Sequence, residues 1–248
     1  MNLTPLIRKL EQFQKLSVED RQALEAAAGE TVTYGPKQDV IQQGDRPDHV
    51  HLLLEGWACR YKIMRNGDRQ IMAYLIPGDL CDVHVTLLDR MDHSIGALSA
   101  CTILTFPRQS LADLMQANKR LLRALWWSTL VDEAILREWL VNVASRPSEK
   151  RLSHLICEMT HRAKAVGLTD DHSFELPVTQ EELADTMGMT PVHMNRCFQT
   201  LRGQGLITTD GRRIVIDDLE RLMAYSEFDP IYLHQIRGTG LHSVEARP

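Results

Sequence analysis

The sequence predicts an α+β fold in two units, an N-terminal β-roll of jelly-roll type and a C-terminal winged helix-turn-helix, joined by a long dimerisation helix. Three observations predict it. Seven short β-type runs follow one another between Thr31 and Phe106 at a spacing of about ten residues, broken by Gly and Pro. The segment Gln109 to Val143 holds neither Gly nor Pro and is apolar on nearly every face from Ala124 onward. Between Val178 and Ile216, two short capped helices, a hairpin turn and a local excess of cations complete the pattern.

Ser17-Val18-Glu19-Asp20 has the form of a capping box, with the Ser hydroxyl serving one orphan amide and the acid another. It opens a short helix that ends near Ala28. The expected strands are Thr31–Tyr34, Asp39–Gln42, Val50–Leu54, Ala58–Ile63, Gln70–Leu75, Ile95–Leu98 and Ile103–Phe106. Asn66-Gly67, Pro77-Gly78 and Gly44-Asp45 supply turns between them. A barrel of this size holds a small ligand or only its own side chains. With the N-terminal helix it forms a unit over residues 1–108.

The helix from Gln109 to Val143 must be covered on more than one side, and three of the four Trp lie in it. A second copy of the chain is the expected cover, with Leu125, Trp126, Leu136, Trp139, Leu140 and Val143 at a homodimer interface. Arg146-Pro147 breaks helical geometry, so the hinge falls at Ala144 to Pro147 and this unit spans 109–145. A new helix, Ser148 to Ala165, starts the unit 146–226. The tail 227–248, with Pro230 and Gly238-Thr239-Gly240, has no assigned structure and is expected to be disordered at its end.

Thr179-Gln180-Glu181-Glu182 is a second capping box, and Gly188 stops the helix that it opens. Thr190 then caps a second helix with Pro191 at its first position. Met194, Cys197, Phe198 and Leu201 line one face of that helix, leaving Val192, His193, Asn195, Arg196 and Gln199 on the others. Leu206–Thr209 and Arg212–Ile216 read as strands flanking an Asp210-Gly211 turn. From Met189 to Arg213, four cations (Arg196, Arg202, Arg212, Arg213) face the single anion Asp210, in a chain whose formal net charge is −5. A protein that coats nucleic acid without regard to sequence would be basic throughout, so the balance points to a localised contact with double-stranded DNA.

The five Cys are scattered, without a CxxC pair, and no basic segment followed by an apolar run opens the chain. Both facts fit a reducing cytoplasm with no membrane partner.

Gly44-Asp45, Leu52-Leu53-Leu54-Glu55-Gly56, Pro77-Gly78-Asp79 and the run from Thr179 through Arg196 to Leu206-Ile207 resemble the cyclic-AMP receptor protein / fumarate-nitrate regulator (Crp/Fnr) superfamily of bacterial transcription factors. The resemblance covers roughly residues 10 to 225. It implies a cyclic-nucleotide-binding-domain-like β-roll, a homodimer on a pseudo-palindromic operator, contact with RNA polymerase if the protein is an activator, and no enzymatic activity. By register it places Pro191, Val192, Asn195 and Arg196 toward the major groove, with Arg196 on guanine. Well-known relatives carry Glu where this chain has Val192, which offers only apolar contact, so the preferred half-site is expected to differ there. Asn195 could take adenine, and Gln199 belongs to the same face. Thr179, Gln180, Thr190, Arg212 and Arg213 are candidates for phosphate contact.

The expected effector segment departs from the cyclic-nucleotide pattern. Where that pattern has Glu and, further on, Arg, this chain has Val83 and His93, with Asp82 and Asp92 nearby. The effector is therefore expected to be some other small molecule or a redox signal, meeting Val83, His84, Asp92, His93 and Ser94. Residues 1 to 58 hold no Cys, so the N-terminal cluster of iron–sulfur oxygen sensors is missing. No cofactor and no metal site is expected. Cys81-x-x-His84 imperfectly resembles the Cys-x-His of haem-containing relatives, which leaves haem as a lesser option. His49-x-His51-x-x-x-Glu55 imitates the first metal motif of cupin enzymes, since alternate residues of a strand share a face. A cupin-like metal-dependent enzyme with a DNA-binding tail, and a constitutive DNA binder with a ligand-free sensor domain, are the alternatives.

Overall fold

The computed structural model describes residues 2–169 and 172–235. The first element, α1 (Thr4–Leu10), was not anticipated; it buries Leu6 and Leu10 and has Pro5 in its first turn, where a missing N–H costs nothing. Helix α2 (Val18–Ala27) follows, with both hydrogen bonds of the Ser17/Asp20 capping box formed at its start. The roll contains β1 (Thr31–Tyr34), β2 (Asp39–Ile41), β3 (His49–Glu55), β4 (Ala58–Ile63), β5 (Arg69–Leu75), β6 (Ser94–Ala97) and β7 (Cys101–Pro107). They form one sheet in the order β1-β7-β3 and another in the order β2-β6-β4-β5. The seven expected strands are present, with ends shifted by a residue or two.

Two glycines allow close backbone approaches, one within the roll and one between the roll and α1. Gly56 has φ +86°, and a Cβ there would lie 2.1 Å from the Ala100 carbonyl oxygen; Gly78 has φ +96°, and a Cβ would meet the Pro5 backbone at 2.8 Å. Gly44 also has a left-handed φ, yet open space surrounds it. Its backbone angle, and not a clash, is what requires glycine there.

The expected single helix from Gln109 to Val143 is two helices. Helix α3 (Arg108–Ala117) ends at Asn118, whose extended backbone breaks the run. The Asn118 side chain then accepts from the amides of Arg120 and Leu121 and caps α4 (Lys119–Ser145). An Asn in a segment free of Gly and Pro was enough to interrupt it, because its side chain replaces the intrahelical partner. Helix α4 runs through Ala144 and Ser145, so the bend is confined to Arg146-Pro147.

The C-terminal unit comprises α5 (Ser148–Val166), β8 (Ser173–Glu175), α6 (Gln180–Met187), α7 (Pro191–Gly203), β9 (Thr208–Asp210), β10 (Arg213–Val215) and α8 (Leu219–Ser226). Its sheet has the order β8-β10-β9, so the wing hairpin gains a third strand from the segment before α6. The turn is one residue later than expected: Asp210 pairs with Arg213, leaving Gly211-Arg212 as the loop, with Gly211 at φ +57°. Beyond α8 the tail is ordered as far as it is described. Pro230–Leu233 makes a 3-10 turn, and Phe228 and Leu233 are buried. Gly238-Thr239-Gly240 lies outside the described residues.

Two apolar cores meet along α4. The N-terminal half of α4 (Leu121, Ala124, Leu125) joins the roll interior, α1 and α2. Further along, Val131, Ile135 and Trp139 join Trp57, Tyr74 and the core of the C-terminal unit. Leu125 and Trp139 were expected to face a second copy; they are instead 1% and 7% exposed within the protomer. The chain itself covers part of the helix surface that the sequence left bare.

Candidate nucleic-acid interface and effector cavity

The reading head is built by caps. Thr179 accepts from the Glu182 amide while Glu182 accepts from the Thr179 amide at 2.8 Å, fixing the start of α6, and Gly188 ends it at φ +63°. Thr190 accepts from the His193 amide at 3.2 Å and starts α7 with Pro191 at its first position. Met194, Cys197, Phe198 and Leu201 are buried. Pro191, Val192, Asn195, Arg196 and Gln199 are all exposed together on the opposite side, as the sequence predicts.

The expected phosphate contacts divide. Gln180 and Arg212 are exposed. The hydroxyls of Thr179 and Thr190 are engaged as caps. Arg213 is turned back, donating to Ser173 Oγ at 2.5 Å; the unforeseen strand β8 captures it. Arg202 donates to Thr209 Oγ1 at 3.0 Å and braces the wing against α7.

The head is docked on the roll. Arg69 of β5 holds Asp185 at 2.9 Å and approaches Glu182 at 3.8 Å, both on α6. Gln70 donates to the Thr186 carbonyl, and the Tyr74 and Thr186 hydroxyls share a hydrogen bond of 2.5 Å. Deeper, Arg162 of α5 donates to Asp79 at 2.8 Å, to the Tyr74 carbonyl at 2.9 Å and to Glu158 at 3.2 Å. Lys9 of α1 reaches Asp79 at 2.7 Å and Asp132 of α4 at 3.4 Å, and Arg60 reaches Asp132 at 3.0 Å. Burial alone would raise the Asp79 carboxyl, but Lys9 and Arg162 outweigh it and hold its pKa at about 2. Burial pushes Glu158 up, against the pull of Arg162, Tyr232 and Trp139.

Between the β4–β5 face and α4 lies an open cavity of about 340 Å³. Val83, His84, Asp92 and His93 line it. Ser94 does not: its hydroxyl accepts from the Gln43 amide at 2.9 Å. The rest of the wall carries Arg60, Tyr74, Asp132, Glu133, Leu136 and Arg162. Nothing in the linear sequence connects positions 60, 132 and 162; only the crossing of α4 and α5 over the roll does. His84 and His93 are both pushed toward the neutral form, chiefly by burial, with Arg60 adding to it. Arg60 and Arg162 are each paired with a carboxylate, so neither stands ready for a phosphate.

Other candidate groups are dispersed. A bulge between Leu53 and Glu55 breaks the alternation of β3, so His49, His51 and Glu55 do not gather on one face. His51 is held by Asp82 at 2.7 Å, and Glu55 accepts from Thr102. Cys81 is fully buried, and burial pushes its thiol well above the usual range, which disfavours the thiolate that a haem iron would need.

A β-roll carrying a ligand-sized cavity, a long helix and an exposed helix with a wing define a class: a winged helix-turn-helix head carried on a β-roll domain. Residues 31–118 match the family model described as the cyclic nucleotide-binding domain, and residues 150–225 match the Crp-like helix-turn-helix domain. The transcriptional activator protein FnrL of Cereibacter sphaeroides is 27% identical over 195 residues, 77% of this chain and 78% of that protein. The transcriptional activatory protein AadR of Rhodopseudomonas palustris is 24% identical, covering 91% and 90%. The solved structure of FixK2 from Bradyrhizobium japonicum superposes with a TM-score of 0.72 at 21% identity, over 79% of this chain and 96% of that one. The chain belongs to the Crp/Fnr superfamily of transcription regulators. Among the described residues, no helix is long and apolar enough to cross a membrane.

Proposed function

We propose that the protein is a homodimeric, sequence-specific transcription regulator, acting in the cytoplasm without enzymatic activity, whose operator affinity is set by a ligand in the cavity between β-roll and α4. The observation that carries the reading is α7: four apolar residues lock it into the head while Val192, Asn195, Arg196 and Gln199 stand free beside the wing. Arg196 offers the two-pronged donor that fits guanine, and Val192 offers only an apolar surface, suited to a thymine methyl.

A second copy would meet the stripe Leu122, Trp126, Leu136 and Leu140, whose exposures are 36%, 62%, 53% and 70%. With Thr129, Glu133 and Val143 on the same side, the positions 122, 126, 129, 133, 136, 140 and 143 follow one another at alternating steps of four and three residues, the seam of a two-helix coiled coil. The related proteins named as activators support contact with RNA polymerase. Two heads related by the dimer axis would enter successive major grooves of a pseudo-palindrome.

The cavity explains the control. Thr129, Glu133 and Leu136 belong both to its wall and to the edge of the dimer stripe, while Tyr74 and Arg162 belong both to it and to the docking of the head. A ligand there touches both elements that set the geometry of the reader. Selecting bound DNA from a random pool, with and without cell extract, tests the reading. A pseudo-palindrome whose preference disappears in Arg196→Ala is expected; selectivity retained by that variant would remove the assignment.

A further inference from the structure

We propose that His84, Asp92 and His93 form a binding site for one divalent transition-metal ion, and that this ion is a ligand of the regulatory cavity; the second clause rests on the reading of the cavity given above. Among the described residues, this is the one group of three such side chains whose donor atoms come within reach of a single ion, each lying within 4.8 Å of the others. Tetrahedral donors at ordinary zinc distances lie about 3.4 Å apart, so a small inward movement of the side chains closes the set.

The hydrogen bonding points the same way. The Nε2 atoms of His84 and His93 are shut off from solvent and have no hydrogen-bond partner among the described residues. A buried polar nitrogen left in this way destabilises the fold unless something binds it. Two such nitrogens occur on rings whose centroids are 5.6 Å apart. Asp92 Oδ1 lies 2.6 Å from the other nitrogen of His93, Nδ1, a contact that gives way as the carboxylate turns to the ion.

The charges around the site permit a cation. The cavity wall carries Arg60, Lys62 and Arg162 against Asp92, Asp132 and Glu133, an even balance. Arg60, the cation felt by both rings, is tied to Asp132 at 3.0 Å. Two imidazoles and a carboxylate suit Zn²⁺, Fe²⁺, Co²⁺ or Ni²⁺ more than Mg²⁺ or Ca²⁺, and leave coordination positions open toward the cavity.

The test uses the full-length protein, stripped with a chelator and titrated with Co²⁺ and Zn²⁺. One ion per chain is expected, with the visible absorption of nitrogen-bound cobalt. His84→Ala and His93→Ala should each weaken binding by more than the 10–100-fold typical of a lost supporting group, and Asp92→Asn by roughly 10-fold or more. His49→Ala, an exposed histidine outside the site, should leave it unchanged. Because Asp92 is largely exposed, its variant reports on the site even if a histidine variant fails to fold. Cobalt bound no more tightly by the native chain than by the His84→Ala/His93→Ala chain would overturn the site, leaving the cavity to an organic ligand. In the second arm, Zn²⁺ added to stripped protein should shift operator affinity by roughly 5–150-fold in the native chain and not in the double variant. Metal bound at the site with operator affinity unmoved would overturn its regulatory role alone, whereas loss of operator selection altogether would count against the regulator reading itself.

Discussion

At the scale of single residues, Arg196 and Asp79 illustrate two uses of charge. Arg196 is exposed on α7, and its guanidinium has no ion-pair partner among the described residues. Replacing it with Ala should cost about 1–3 kcal/mol against the preferred operator and little against random DNA, a contrast that fluorescence anisotropy on the two sequences would show. Asp79 is buried between Lys9 and Arg162, and folding lowers its pKa from 3.8 to about 2. Its contribution is therefore whole above pH 3.8 and is lost as the pH falls toward 2. Thermal unfolding followed from pH 5 to pH 2 should show the native chain losing its advantage over Asp79→Asn across that interval. An advantage unchanged across the interval would mean that the two cations do not depend on the carboxylate. Both residues lie in motifs visible in the sequence, but only the exposed placement of Arg196 was legible there. The partners of Asp79 come from α1 and α5, 70 and 83 residues away, and no local pattern announces them.

At the scale of elements, local chemistry was legible and its exceptions have local causes too. The capping boxes at Ser17 and Thr179 form as read, because each motif satisfies its own backbone amides. The break at Asn118 escaped a reading based on Gly and Pro, although Asn is a good cap. Asn118→Ala should destabilise the fold by about 1 kcal/mol, measurable as a lower urea midpoint with an unchanged slope. Helix α4 offers the clearest separation between pattern and partner. Its apolar residues were identified correctly, but the sequence could not say which of them the same chain would cover. Leu125 and Trp139 went to the protomer, and Trp126, Leu136 and Leu140 stayed outside. Trp126→Asp with Leu140→Asp should turn the dimer into a monomer in sedimentation equilibrium while leaving circular dichroism intact, since neither side chain supports the protomer core. A variant that stayed dimeric would place the interface elsewhere.

At the scale of the whole molecule, the order of roll, helix and head was readable, and the docking between them was not. Arg69, Gln70 and Tyr74 grip α6, the helix that positions α7, so the head's freedom depends on β5. Arg69→Ala combined with Tyr74→Phe should speed amide exchange in α6 and change operator affinity; exchange and affinity both unmoved would show that the docking does not couple the units. The pair on the surface side of this contact is partly exposed, so the effect is expected mainly from the buried Tyr74–Thr186 contact.

Glu158 has a bearing on how the molecule can be cut. Its carboxylate is shared by Trp139 from α4, Arg162 from its own helix and Tyr232 from beyond α8, at 3.0, 3.2 and 2.9 Å. Phe228 stacks on His161 and meets His154 edge-on, and Leu233 is 2% exposed. A fragment trimmed at residue 226 would keep every residue proposed to face DNA and still lose one wall of its interior, with an acid left short of a donor. The smallest autonomous head therefore extends to at least Leu233, and shorter expression fragments would be expected to precipitate while their recognition helix was still complete.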